Sequence, residues 1–208
     1  MRQDAVMEQV FGLVNYLLLR DRQTRKRCLC VRTYKVIPLA PQAGLLEFVP
    51  HTTPLKEFLD RAHAAFVNSG LFMMFHRAYP APGCCRYRPR DMTDAEASKR
   101  LIQARDSRVD LLAVYNKICS RLKPVMRHWF TETSRLPHPW YHMRLNYARS
   151  VATTSIVGHV IGLGDRHTSN ILLEMRTGEV VHIDLGIAFD QVRGHVLVCQ
   201  QIYLTSPL

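Results

Sequence analysis

The sequence predicts an α+β fold built as two unequal lobes, and three observations lead there. Apolar residues recur at helical spacing near the amino end and again through the second half. A run rich in β-branched and aromatic residues, 28–37, is followed by a Pro-Gln-Ala-Gly turn signal and a second apolar run. Far along the chain, another pair of short strands flanks Arg176-Thr-Gly178 and carries a cluster of polar residues. A ligand held in a cleft between two lobes suits that layout.

With 208 residues, 47% of them hydrophobic and 22% charged, the chain has enough apolar content for a core, which excludes wholesale disorder. No apolar stretch approaches the ~20 residues that span a bilayer, and no charged-then-apolar-then-small leader follows Met1. A soluble intracellular protein without a membrane partner is therefore expected. The net charge of +11 comes from 22 Arg and 6 Lys against 17 Asp+Glu, concentrated in residues 20–32 and 77–108. Such surfaces attract polyanions, from nucleotide phosphates to acidic partners. Direct nucleic-acid binding is not expected, because no helix-turn-helix, zinc-finger or RNA-binding signature accompanies the charge. None of the six cysteines forms a Cys-x-x-Cys pair and no His-x-x-x-His partner is expected, so zinc is not expected; without a secretory signal, reduced thiols are.

Element by element, Val6, Val10, Leu13, Val14, Leu17 and Leu18 place an amphipathic helix over residues 3–20. Residues 20–27 read as a charged connector. The strand over 28–37 closes at Pro38 and makes a hairpin with 45–49. Thr53 and Pro54 stand as N-cap and first helical residue of a helix reaching about residue 66. Residues 68–90 show no period and read as a loop. Thr93 or Asp94 caps one long helix through Ile102, Val109, Leu112, Tyr115, Ile118 and Leu122, ended near Pro124. A short helix covers 126–130. His138-Pro139 opens another over about 140–161, with Leu145, Val151, Ile156 and Val160 as its apolar positions and Gly162 and Gly164 as its stop. Strands follow at 170–174 and 179–183.

The chemistry lies in Gly162-Leu-Gly-Asp165-Arg-His167-Thr-Ser-Asn170 and, one strand later, His182-Ile-Asp184-Leu-Gly186. Phosphoryl transfer needs a carboxylate facing the attacking hydroxyl and hard oxygen ligands for Mg²⁺ beside the phosphates. Asp165 and Asn170 stand five apart on one loop, the Asp-to-Asn spacing of the protein-kinase catalytic loop. Asp184 ends the next strand two residues before Gly186, in the place of an Asp-Phe-Gly motif. The triplet order is Asp-Arg-His rather than His-Arg-Asp. Arg166 reads as a brace for the loop, His159 and His182 as structural residues, and Trp129 and Trp140 as packing residues. By position alone Tyr34, Leu172 and Ile183 belong to a core and carry no role.

These motifs resemble the catalytic domain of the phosphatidylinositol 3-kinase-related protein kinases and, within it, the ataxia-telangiectasia-mutated (Tel1-like) branch. The resemblance covers residues 2–65 and 86–191. It is carried by Arg2-Gln-Asp-Ala-Val-Met-Glu-Gln-Val-Phe11, Thr24-Arg-Lys-Arg27, Thr33-Tyr-Lys-Val-Ile-Pro-Leu39 and Gly44-Leu-Leu-Glu47. Arg86-Tyr-Arg-Pro89, Arg149-Ser-Val-Ala-Thr-Thr-Ser-Ile-Val-Gly158 and His182-Ile-Asp-Leu-Gly-Ile-Ala-Phe-Asp-Gln191 continue it. It implies a two-lobed protein-kinase-like domain, incomplete at both ends. Residues 1–49 would be part of a small lobe ending in the hinge strand, and 50–191 the large helical lobe. Residues 66–85 would be an insertion and 192–208 a divergent tail.

The same resemblance implies a nuclear, ATP-dependent serine/threonine protein kinase of the DNA-damage response, bearing on checkpoints and telomere maintenance. Its substrates would be proteins with Ser/Thr followed by Gln, its partners damage-sensor proteins, and the whole protein a homodimer. Asp165 would orient or deprotonate the substrate hydroxyl, and His167 would stabilise the γ-phosphoryl charge or assist the proton transfer. Asn170 and Asp184 would hold Mg²⁺ or Mn²⁺. The adenine would hydrogen-bond to the backbone of Glu47 and Val49 and stack on Phe48, where this branch usually has tryptophan. Tyr34, Leu172 and Ile183 would line the same pocket. A phosphate-covering loop with its lysine would lie upstream, and an activation segment would follow Gln191. The 208 residues, read as a partial gene model, are accordingly expected to have little kinase activity alone. A lipid kinase on the same scaffold, sharing Asp-Arg-His-x-x-Asn, and a non-catalytic fragment acting as a binding module stay open as alternatives.

Overall fold

The computed structural model describes residues 2–40, 43–63, 92, 94–122 and 124–189. In chain order its elements begin with helices α1 (Arg2–Arg20) and α2 (Arg22–Lys26), then strands β1 (Val36–Ala40), β2 (Ala43–Leu46) and β3 (Thr52–Pro54). Helices α3 (Leu55–His63), α4 (Asp94–Asp106), α5 (Leu111–Arg121), α6 (Met126–Thr133) and α7 (Pro137–Val160) follow. A 3-10 turn (Thr168–Asn170) then leads into β4 (Ile171–Glu174) and β5 (Val180–His182). Among the described residues, those up to 55 and 136–189 form one compact unit, and those within 56–135 another. The lobe boundary read from the sequence falls at 49/50, ahead of β3. The insertion read at 66–85, the Arg86-Tyr-Arg-Pro89 motif and the tail read at 192–208 lie outside the described residues.

In the first unit, α1 carries Asp4 in its first turn and Arg20 in its last, charges that complement the helix dipole. It buries Ala5, Met7 and Phe11 and leaves Val6, Leu13 and Leu17 exposed. Of the predicted apolar positions, Val6, Leu13 and Leu17 are thus open, while Val10, Val14 and Leu18 are half-buried. Met7 and Phe11 pack with Val31, Leu163, Leu185 and Ala188, so a single cluster ties the start of the chain to its last described segment. Burying Phe11 alone contributes about 2 kcal/mol. Asn15 clamps the same region, donating to the Val31 carbonyl and accepting the Val31 N–H, both at 2.8 Å.

Several local expectations shift. The charged connector contains α2, because Asp21 caps it by accepting the Gln23 and Thr24 N–H groups at 2.9 Å. Strand β1 begins at Val36 instead of 28 and runs through Pro38, with Ile37 opposite Leu45 and Pro38 opposite Gly44 of β2. A two-stranded hairpin consists of edge strands, where a residue without an N–H is tolerated. Thr53 and Pro54 are not a helix start. They belong to β3, where Thr52, Thr53 and Pro54 oppose Glu174, Leu173 and Leu172 of β4. Strand β4 pairs in turn with β5, giving the antiparallel order β3-β4-β5.

Helix α7 carries this sheet. It buries Met143, Tyr147, Ser150, Thr153 and Thr154, while Ile156 and Val160, expected inward, are 67% and 76% exposed. Thr153 and Thr154 can face the interior because their hydroxyls donate to the Arg149 and Ser150 carbonyls of their own helix. Ser150 Oγ accepts the Val180 N–H at 3.0 Å, and Asn146 donates to the Thr177 carbonyl at 3.1 Å. Gly178, at φ +79, approaches so closely that a Cβ there would stand 2.6 Å from the Met143 backbone oxygen.

In the second unit, the single long helix expected over 94–122 is two helices. The chain turns at Arg108, φ +53, and Asp110 caps α5 by accepting the Leu112 and Ala113 N–H groups. Apolar periodicity runs through the break, but the cap decides it. Trp129 and Phe130 of α6 are buried edge-to-face with ring centroids 4.9 Å apart. Among the described residues no helix is long and apolar enough to cross a membrane.

Candidate active site

Helix α7 stops in a Schellman turn at Gly162, φ +62, where Leu163 N–H donates to Gly158 C=O and Gly162 N–H to His159 C=O. The loop that follows is sewn to residues 183–189. Gly164 N–H donates to Ile187 C=O at 2.9 Å, and Phe189 N–H to Ile161 C=O at 3.0 Å. Arg166 completes the seam, donating Nε to Gly164 C=O at 2.7 Å, one Nη to Ile183 C=O at 2.8 Å and the other to Asp184 C=O. Burial lowers its pKa, and the charges of Asp165 and Asp184 pull the other way.

Asp165 and Asp184 both occupy left-handed backbone, φ +55 and +54, a region that Asp enters more readily than most residues. Both are exposed. His167 Nε2 stands 3.7 Å from Asp165 Oδ1. Buried Asn170 closes the 3-10 turn. Its Nδ2 donates to the Asp165 carbonyl at 3.2 Å and lies 3.5 Å from Asp165 Oδ2. The Asn170 carbonyl accepts the Ile183 N–H at 3.0 Å, which brings Asp184 to the residue just beyond that bond.

The donor set fits a hard cation. Asn170 commits Nδ2 to Asp165, leaving Oδ1 as its ligating atom, and the exposed Asp184 carboxylate is the second oxygen donor. Mg²⁺ takes one or two protein oxygens and completes its octahedron with phosphate and water. Among the described residues no group of three His, Cys, Asp or Glu could hold a metal unaided.

Tyr34 is buried at the edge of this seam. Its N–H donates to Glu8 Oε2 at 3.1 Å, and its phenol lies near the Asp184 backbone. Burial, with the Glu8 and Asp4 charges adding, pushes the phenol well above its usual range. Sequence reasoning gave no role to Asp4 or Glu8. Asp4 Oδ1 accepts the Leu185 N–H at 3.0 Å. Glu8 is pushed up to about 7, chiefly by burial, with the Tyr34 bond opposing and the Asp4 and Glu47 charges adding. Its Oε1 is buried without a hydrogen-bond partner among the described residues. The available signal was an acidic pair at i, i+4 on α1, within the Arg2-Gln-Asp4 motif and one turn beyond it.

At the end of the β1–β2 hairpin, Glu47 N–H donates to Lys35 C=O and its carboxylate accepts Lys35 N–H, both at 2.8 Å. The Val49 carbonyl accepts from Thr52 Oγ1 at 2.9 Å. Among the described residues no hydrogen bond takes up the Glu47 carbonyl or the Val49 N–H, and Phe48 is 84% exposed. Leu172 is half-buried opposite Pro54 and Val181, and Ile183 is half-buried beside Asn170. Direct contacts therefore join Asp165, Arg166, His167, Asn170, Ile183, Asp184 and Tyr34. Glu47 is linked to them through the field of Glu8, while Phe48, Val49 and Leu172 make no hydrogen bond to the group. His182 is buried behind the loop, driven down to about 3 by burial and the Arg166 charge. His159, read as structural, is exposed on α7, and Trp140 is half-buried with the Arg144 guanidinium 5.3 Å from its ring centre.

A phosphatidylinositol 3- and 4-kinase family model matches residues 1–197. The chain belongs to that family. It is 46% identical over 195 residues to the serine/threonine-protein kinase tel1 of Emericella nidulans, a match that spans 93% of this chain and 6% of the relative. It is 44% identical over 191 residues to the serine/threonine-protein kinase ATM of Arabidopsis thaliana, spanning 92% of this chain and 4% of that one. Among solved structures, the FAT and kinase domain of CtTel1 superposes with a TM-score of 0.72 at 44% identity, over 91% of this chain and 12% of that chain. The complete CtTel1 dimer with C2 symmetry gives 0.73 at 44% identity, over 91% of this chain and 6% of that chain. The chain thus spans a small fraction of the length of these relatives.

Proposed function

We propose that this chain carries the phosphoryl-transfer centre of a serine/threonine protein kinase that uses ATP and Mg²⁺. One observation carries the reading: a single loop, braced by Arg166, presents Asp165, His167 and Asn170, and the Asn170–Ile183 bond sets Asp184 beside them. Asp165 orients the substrate hydroxyl and accepts its proton. His167, within 3.7 Å, stabilises the developing charge on the transferred group. Asn170 and Asp184 are the ligands of Mg²⁺, or of Mn²⁺ in its place, and the cation neutralises charge on the β- and γ-phosphates when bound. The free Glu47 carbonyl and Val49 N–H take the adenine edge, Phe48 offers a stacking face, and Tyr34, Leu172 and Ile183 line the pocket. In this reading residues 1–49 belong to the small lobe and 50–191 to the large one.

The tel1 and ATM relatives support a protein rather than a lipid substrate. They extend the proposal to a nuclear DNA-damage-response kinase acting at Ser/Thr-Gln sites, and the CtTel1 dimer to a dimeric whole protein. The test is γ-phosphate transfer from ATP to a Ser-Gln peptide, in the full-length protein purified from its own source. Transfer should fall by at least about 10²-fold in Asp165→Asn and in Asp184→Ala. Undiminished transfer in both variants, or transfer to phosphoinositide and not to peptide, overturns the proposal.

A further inference from the structure

The expected absence of a His-x-x-x-His spacing does not hold for this sequence. His138-Pro-Trp-Tyr-His142 is itself a His-x-x-x-His spacing, at the amino end of α7 and outside the phosphoryl-transfer loop. On a helix that spacing stacks the two side chains on one face. Both residues are exposed, their ring centroids are 4.4 Å apart, and the two Nε2 atoms stand 3.1 Å from each other. Proline in the first helical turn fixes the backbone that presents them.

Two imidazole nitrogens converging in this way compete for one proton, since one Nε2 must donate to the other. A metal ion satisfies both lone pairs at once. With metal–nitrogen bonds of about 2.05 Å, a 3.1 Å separation closes at an N–metal–N angle of about 100°, between the octahedral and tetrahedral values. Imidazole donors suit Zn²⁺, Ni²⁺ and Cu²⁺ and disfavour the hard Mg²⁺ of the phosphoryl-transfer site. No third His, Cys, Asp or Glu joins the pair among the described residues, so the remaining coordination positions are open to water.

We infer that His138 and His142 form a surface binding site for a divalent transition-metal ion of the zinc class, independent of ATP and Mg²⁺. The two ligands sit on one rigid helix, so the second bond is intramolecular and removing either histidine should weaken binding by roughly 10²-fold. The test is a Zn²⁺ titration of the 208-residue chain, followed on the histidine ring signals by NMR. The signals of His138 and His142 should shift together and saturate at one ion, with the other histidines unmoved. His142→Ala should abolish the shift at the same concentrations, while circular dichroism shows the helix intact. Reading the rings themselves separates this site from zinc taken up by cysteines. Shifts on other histidines only, no shift up to about 1 mM Zn²⁺, or an unchanged His138 response in His142→Ala overturns the inference.

Discussion

Asp4 accepts the backbone N–H of Leu185, so the first turn of the first helix holds the residue that follows Asp184. Leu185 is fully buried, so truncating Asp4 leaves its N–H without this acceptor. Asp4→Ala should therefore cost about 1–3 kcal/mol, with Asp4→Asn closer to the parent because its amide oxygen can still accept. Urea midpoints of the three proteins give the comparison. Equal midpoints for Ala and the parent would show that the bond contributes nothing.

Glu8 titrates upward, and the sign of its effect on stability follows. Its carboxyl ionises near 4.5 when unfolded and at about 7 when folded. Between those values the native state holds the extra proton, so stability falls as pH rises through the window. With its partial exposure discounted, the loss is about 1 kcal/mol. Glu8→Gln, which keeps an acceptor for the Tyr34 N–H, should remove this slope between pH 5 and 8 in denaturant unfolding.

His182 runs the other way. Its ring protonates near 6.5 when unfolded and near 3 when folded. The unfolded chain then binds the extra proton between those values, so stability is lost as pH falls, by about 2 kcal/mol at pH 5 relative to neutrality. The two titrations overlap and oppose each other, so the parent profile should be flatter than either single variant. In His182→Asn the acid-side loss should shrink whatever the variant's overall stability. An unchanged slope counts against a buried neutral ring.

Gly178 meets two constraints, a left-handed φ and a Cβ position 2.6 Å from the Met143 backbone oxygen. Because backbone cannot step aside as a side-chain end can, Gly178→Ala should cost about 3 kcal/mol. That corresponds to a fall in Tm of roughly 6–12 °C for a chain of this size. Calorimetry on the variant is the check, and a Tm within 2 °C of the parent, about the least shift expected per kcal/mol, contradicts it.

Placement within a short stretch was legible. Asp165, His167 and Asn170 lie on one loop, and Asp184 follows one strand later, so spacing alone set them in order. What spans the chain was not: nothing local to Asp4, Glu8 or Tyr34 announces that they converge on the segment after Asp184. Helix faces misled for a different reason. Ser150, Thr153 and Thr154 bury because their hydroxyls are satisfied by backbone partners, which a search for apolar period overlooks. Thr53 and Pro54 carried a good helix-start signal that the pairing of β3 with β4 overrode.

The cluster that unites Met7 and Phe11 with Leu163 and Leu185 also has a consequence in time. Helix α1 leaves the ribosome long before Leu163, Leu185 and Ala188, its later packing partners, exist. At 5–20 residues per second, the roughly 180 residues between Met7 and Leu185 take about 10–35 s to make. Throughout that interval Met7 and Phe11 lack the cover of Leu185 and Ala188, which lie beyond the last strand. Synthesis should accordingly leave a nascent chain that recruits holdase chaperones at α1, and pausing late in translation should lower yield more than pausing early.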